Sequence, residues 1–215
     1  VADALTADHL LVPSMGVDEP ALFLVDAAAA LRTEVISLDL TRPLADITFD
    51  AASAELLASG PAAYDALDAA LMTGSAVLAS EQLALAERCL EMTLEHLKTR
   101  YQFGRQIGSF QALKHRMADV WAGVTQARAV ARYAAACLAD GDPDIAVAAS
   151  LAQAYCSGVA VKAAEECVQM HGGIGFTWEH PAHLYLKRAK ADAIAFGTAA
   201  THRARLATLV DLPAA

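Results

Sequence analysis

Two different periods run along the chain. Up to about residue 57 the apolar residues come in short runs, HLLVPSM, ALFLVDA, RTEVISLDL and ADITFDAAS, parted by Pro, Gly and Asp. Runs of that length, rich in Leu, Val, Ile and Phe and bounded by turn formers, predict four short strands. Four strands are too few to close a barrel or pair as a sandwich, so they predict a piece of a larger antiparallel β unit. From about Pro61 the period becomes helical, with Leu67, Leu71, Leu78, Leu85, Leu90, Leu94 and Leu97 recurring at three and four. Pro61 suits a first helical turn, and Phe103-Gly104 ends the pattern. A second helix is predicted from about Gln111 to Ala139, stopped by DGDPD. Asp142 or Asp144 can cap a third, from Ile145 to about His171, which ends at Gly172-Gly173. A shorter helix near Leu184–Ile194 follows, and Thr198 can cap a last one to about Val210. The fold class is therefore α+β: a partial antiparallel β domain over 1–57, then an antiparallel helical bundle over 58–215.

Composition narrows the functional classes. The chain has 215 residues, 56% hydrophobic and 19% charged, which excludes disorder and allows a sizeable core. A formal net charge of −9 argues against a broad nucleic-acid-binding face. Wholly apolar runs fall short of a membrane span and charges interrupt each helical segment, so no membrane partner is expected. Cys89, Cys137, Cys156 and Cys167 stand singly, without CxxC spacing, and read as buried free thiols of a reducing compartment. No metal is expected; His180 and His183 in EHPAH fit capping or surface roles better than ligation. The opening VADALTADHLLVP lacks an initiator Met and a leader, so either the numbering begins within a longer polypeptide or processing has removed its start. A cytoplasmic location is the expectation. Five apolar helices present more surface than one small bundle buries, which predicts an oligomer.

Two helix junctions carry more chemistry than turns need: RYQFGRQIGSFQ and QMHGGIGFTWEH. Each sets glycines beside an aromatic and a Gln or Arg that can donate hydrogen bonds. Arg100 or Arg105 can hold a phosphate in bidentate fashion, and the amides around Gly172 and Gly173 can meet an anion or a heterocycle edge. The alternative is that these glycines end helices and the arginines sit at negative helix C-termini.

RYQFGRQIGSFQALKHRMADV, CVQMHGGIGFTWEHPAHLYLKRAKA and the long helix before them resemble the C-terminal half of acyl-CoA dehydrogenases. These are flavoproteins that introduce an α,β double bond into acyl-CoA thioesters. The strand-rich start resembles the second part of that family's middle β domain; its N-terminal helical domain and the first part of the β domain have no counterpart in these residues. The resemblance implies FAD as cofactor and an acyl-CoA as substrate. It also implies that both junctions reach across a subunit interface to a neighbour's flavin. Arg100 would bind the pyrophosphate, Phe103 would pack on the cofactor, and Gln102 and Gln111 would add polar contacts. Gln169, Gly172 and Gly173 would border the adenosine end, and Thr198 belongs to a further flavin-side motif.

The family also needs a carboxylate to remove the α-proton. One family position for it falls on Phe196, in IAFGTAATHR, and the other on Gly74, in MTGSA; neither is an acid. Glu81, about two turns beyond Gly74 and roughly 10 Å along the helix, is the only weak candidate. Ala200 replaces a Gln that often meets the flavin. The chain also resembles a branch in which two different dehydrogenase-like subunits form an α2β2 assembly acting on steroid side-chain thioesters. Three readings follow. One is a flavin-completing subunit without its own base, paired with a second dehydrogenase-like chain or itself. Another is a self-sufficient dehydrogenase using Glu81 or an acid outside these residues. The last is a non-catalytic helical assembly protein. Small residues at Gly74, Ser75 and Ala76 would leave room for a bulky acyl chain. Lys187, Arg188 and Lys190 fit either CoA phosphates or a solvated helix end.

Overall fold

The computed structural model describes residues 1–15 and 19–212. They form two compact units, Val1–Leu71 and Met72–Ala215.

In the first unit, β1 (His9–Met15), β2 (Pro20–Asp26) and β5 (Ala54–Ser59) make a three-stranded antiparallel sheet with β2 in the centre. A separate hairpin pairs β3 (Ala30–Val35) with β4 (Leu44–Phe49). The sequence reading foresees four strands and misses β5. AELLAS is poor in β-branched residues, so its strand state comes from pairing with β2 rather than from local preference. It also carries the third run on to Leu40, whereas the strand stops at Val35. There Asp39 takes over the backbone, its carboxylate accepting from the Thr41 amide at 2.9 Å and the Thr41 hydroxyl at 2.7 Å. Arg32 ties the unit together by donating to the carbonyls of Ala4, Leu5 and Ala7 at 3.1–3.2 Å.

Helix α1 spans Pro61–Thr99, with Pro61 at its first position. In the second unit follow α2 (Gln111–Asp140), α3 (Ile145–His171), α4 (Ala182–Asp192) and α5 (Ala199–Leu209), each near its expected place. Gly141, at φ +62, closes α2, and the Asp142 carboxylate accepts from the Asp144 amide at 2.8 Å just before α3. Thr198 caps α5, its hydroxyl accepting from the Thr201 amide.

The bundle core changes character along its length. At one end small residues meet: Ala76 and Ala79 of α1, Ala127, Ala131, Ala134 and Cys137 of α2, and Ala148, Ala149, Ala152 and Cys156 of α3. At the other, Leu85, Leu90, Met92, Leu97, Met117, Val120, Val124 and Met170 fill the space, each worth about 1.5–3 kcal/mol when buried. All four cysteines are buried and free. Buried Glu166 of α3 joins Arg116 of α2 and Lys162 of its own helix, each at 2.6 Å. By length and composition alone, α1 and the stretch Ile145–Phe176 are apolar enough to cross a membrane, contrary to the reading from wholly apolar runs. The apolar window of the second is half buried within the bundle, which accounts for its hydropathy as core.

Candidate functional site at the two ends of the bundle

The first junction is a two-residue hairpin. Strand β6 (Tyr101–Gln102) pairs with β7 (Arg105–Gln106), and the loop between them is Phe103 at φ +52 and Gly104 at φ +74. Positive φ at both loop positions is the tight turn whose twist suits a hairpin, and Asn-Gly is its favoured sequence. A phenylalanine in that conformation costs about 1–2 kcal/mol. Burial does not repay it, because Phe103 is 91% exposed; its contacts are an edge-on approach to Phe110 at 6.2 Å and nothing that covers the ring. Arg105 is engaged at home, with its guanidinium 3.9 Å above the Phe110 ring. Arg100 is exposed, and among the described residues its guanidinium has no hydrogen-bond partner.

The second junction ends α3. Gly172 takes φ +63 and ψ −140, a region that is essentially glycine's alone. A Cβ built on Gly172 or on Gly173 would meet nothing within 4 Å, so this chain's own packing does not ask for the missing side chain of Gly173. Gly175 is different: a Cβ there would stand 2.6 Å from the Val168 carbonyl oxygen, a purely structural demand. Gln169 is exposed beside the two open glycines.

These junctions lie at the same end of the bundle. His96, in the last turn of α1, stacks on His171, the last residue of α3, with ring centroids 4.3 Å apart. Arg100, Gln102, Phe103, Gln111, Gln169, Gly172 and Gly173 are thus carried on neighbouring helix ends, all exposed. Thr198 is not with them. Its loop is held by Gln153, which lies eighteen residues before His171 on α3, about 27 Å along the axis. One chain therefore presents two separate surfaces rather than one closed site.

At that other end sits the second set of expected positions. The Gln153 side-chain amide donates to the carbonyls of Asp192 (3.1 Å) and Ala195 (3.0 Å) and lies 3.5 Å from that of Gly197. Gln82 donates to the Gln153 side-chain oxygen at 3.1 Å and to the Asp192 carbonyl at 3.2 Å. Both glutamines are 0% exposed. His202 Nε2 lies 2.9 Å from the Phe196 carbonyl oxygen. So clamped, Phe196 adopts φ +55 and Gly197 φ +105. The Phe196 ring then covers Gly74: a Cβ on Gly74 would fall 2.7 Å from two of its carbons. The sequence reading missed Gln82 and Gln153. Their signal is positional, since Gln82 interrupts the buried stripe 78, 85, 89 and Gln153 the stripe 149, 156, 160.

Several expectations change here. Ser75 and Ala76 are 2% and 1% exposed, and Gly74 lies under the ring, so this trio packs the bundle instead of opening room for an acyl chain. Glu81 is ion-paired to Arg188 at 2.5 Å, which ties α1 to α4. Lys190 pairs with Glu165 at 2.7 Å, and Lys187 lies 4.9 Å above the Trp178 ring, so the basic cluster is engaged internally rather than being a free helix end. His180 caps, accepting from the Ala182 amide at 3.2 Å.

Phe103→Asn tests the strain in this loop. It is expected to raise stability by about 0.5–1.5 kcal/mol by relieving the left-handed conformation at position 103. Denaturant melts of the two proteins check it.

An exposed arginine, a projecting aromatic and a glycine pair open to close approach make a surface suited to a phosphate-bearing, ring-containing cofactor held from one side. Comparison with known proteins gives the lineage: residues 64–210 match the profile of the acyl-CoA dehydrogenase C-terminal domain, and the chain belongs to the acyl-CoA dehydrogenase family. It is similar to acyl-CoA dehydrogenase IpdE2 of Mycobacterium tuberculosis, 46% identical over 159 residues that cover 74% of this chain and 45% of that one. Rat mitochondrial short/branched chain specific acyl-CoA dehydrogenase is 33% identical over 141 residues, 66% of this chain and 32% of that one. Among solved structures, the ChsE4-ChsE5 complex from Mycobacterium tuberculosis superposes with a TM-score of 0.86 at 28% identity, over 99% of this chain and 58% of that one. The Tcur3481-Tcur3483 steroid ACAD gives 0.84 at 32%, over 95% and 55%. The chain thus spans less than half the length of the curated relatives it matches, and little more than half of the solved ones.

Proposed function

We propose that this chain is a subunit of a flavin-dependent acyl-CoA dehydrogenase that completes the FAD site of a second dehydrogenase-like subunit and supplies no base of its own. The observation that carries the reading is the contact between Phe196 and Gly74. The two positions where the family places its carboxylate face each other here, and a phenyl ring occupies the space between them. Glu81, committed to Arg188, does not make up the loss.

The junction end supports a cofactor role. Arg100 fits the pyrophosphate as a fork of donors, and Phe103 supplies a flat apolar face. The open backbone at Gly172 and Gly173 lets an adenosine edge approach, with Gln102, Gln111 and Gln169 as polar partners. FAD, when bound, would supply the acceptor for the hydride that leaves the β-carbon of the thioester. The residues of this chain would hold and orient it, and the α-proton would go to a carboxylate of the other subunit. Residues 1–57 fit as part of a middle β domain and 58–215 as the C-terminal bundle. Exposed Val77, Trp121 and Tyr133 on α1 and α2 favour an assembly. Likeness to a steroid ACAD and to a two-chain complex favours a bulky acyl-CoA, such as a steroid side-chain thioester, and a heterotetramer.

The test is flavin content and turnover of this chain alone and together with the dehydrogenase-like protein that copurifies with it. The chain alone is expected to be colourless and inert. The joint preparation should carry flavin that bleaches on adding an acyl-CoA. Turnover by the chain alone would overturn the reading.

A further inference from the structure

The two cofactor junctions are bridged by a column of three imidazoles. His171, 8% exposed, stacks on His96 at 4.3 Å and on His180 at 4.1 Å, with the rings tilted by 32° and 34°. One ring comes from the end of α1, one from the end of α3 and one from just before α4. The column is not sealed: a cavity of about 340 Å³ is lined by Arg88, Glu95, His96, Thr99, His171 and His180, which gives water and protons a path to the rings.

Hydrogen bonds make the rings unequal. His171 Nδ1 lies 2.7 Å from the Cys167 carbonyl oxygen, which can only accept, so that nitrogen carries a proton and the ring can take a second on Nε2 without losing the bond. His180 Nδ1 accepts from the Ala182 amide at 3.2 Å. It cannot become a cation without giving up that bond at the start of α4. The column thus holds one positive charge comfortably and a second only at the cost of repulsion between stacked rings and a broken cap.

We propose that the His96–His171–His180 column is a proton-operated latch: with at most one proton it joins the ends of α1 and α3, and a second proton loosens both cofactor junctions together. This rests on the junctions being the cofactor surface proposed above. The surrounding charges set its balance. From α1 come Arg88, paired with Glu91 at 2.5 Å, and Glu95 at the cavity; from the hairpin, Arg100; from α3, Cys167, with its Sγ 3.7 Å from His171 and the Cys89 thiol as its own partner; from α4, His183. Burial opposes charge on His171, yet its bonds to the Cys167 side chain and carbonyl hold its pKa above the ordinary value. Burial and then the charge of His171 depress His96 and His180. The signs follow. His171 favours the folded state below its unfolded pKa of about 6.5, an advantage lost as pH rises through its folded value. His96 and His180 favour it above about 6.5, and their contribution disappears as pH falls through their depressed values.

The test is amide hydrogen exchange of the full chain from about pH 7 to about pH 5, the range in which histidines titrate, read as protection factors corrected for intrinsic rates. Protection at 100–107 and 172–177 should fall together by about ten-fold, the equivalent of one pKa unit, while the middle of α2 stays protected. In the double variant His96→Phe with His180→Asn, which keeps an acceptor for the Ala182 amide, the profile should be flat with acid. An unchanged acid response in that variant, or none in the wild type, overturns the latch. Imidazole titration of the wild type by NMR serves if the variant does not fold: one high and two low titrations are expected, and three independent ones near 6.5 overturn it. Both readouts need no flavin, so they stand or fall apart from the cofactor assignment. In the assembled enzyme, flavin release should follow the same acid limb.

Discussion

Gln153→Leu is expected to destabilise the helical unit by about 3–5 kcal/mol, visible as a lower urea midpoint of the whole chain. The side chain is fully buried and its amide donates to the carbonyls of Asp192 and Ala195 while accepting from Gln82. Leucine fills a similar volume but leaves the Ala195 carbonyl without this donor and takes from the Gln82 amide one of its two acceptors, the Asp192 carbonyl remaining as the other, and each buried orphan costs about 1–3 kcal/mol. Gln153→Glu is the informative control. A carboxylate of the same shape cannot donate, so it should be at least as damaging. If Glu were tolerated and Leu were not, the bond accepted from Gln82 rather than the donated ones would govern the site. Either substitution should also free the loop around Phe196, so the ring over Gly74 should lose its fixed position.

Arg100→Ala is expected to weaken FAD retention of the assembled enzyme by about 10–100-fold, as loss of a charge-assisted contact worth about 1.5–3 kcal/mol implies. The stability of the chain itself should move by less than about 0.5 kcal/mol, because the side chain is exposed and unpaired among the described residues. Arg100→Lys should fall between, keeping the charge and losing the fork. Equilibrium dialysis against FAD gives the first quantity and thermal melts give the second. Full flavin retention by the alanine variant would remove the pyrophosphate role from Arg100.

The helices were legible because their punctuation is strong. Pro61, the Phe103-Gly104 break, DGDPD, the Gly172-Gly173 end and the Thr198 cap each mark a boundary by local stereochemistry, and the structure uses each of them. Strand β5 was not legible, since AELLAS is neutral on its own and its state depends on β2, some thirty residues away. The candidate site residues could be listed from their motifs, but not the fact that Thr198 lies apart from the two junctions, with its loop held at Gln153 within α3. That division depends on which helix ends meet, and the stacking of His96 on His171 and the reach of Gln153 to Ala195 set it. Glu81 shows the limit most plainly. Its spacing from Gly74 could be counted, whereas its commitment to Arg188, more than a hundred residues later, is a property of the fold.

The ring of Phe196 and the absent side chain of Gly74 share a single volume, so neither position can change on its own without consequence for the other. An acid arriving at 74 must displace the ring, and shrinking the ring at 196, which is 48% exposed, uncovers Gly74 to solvent.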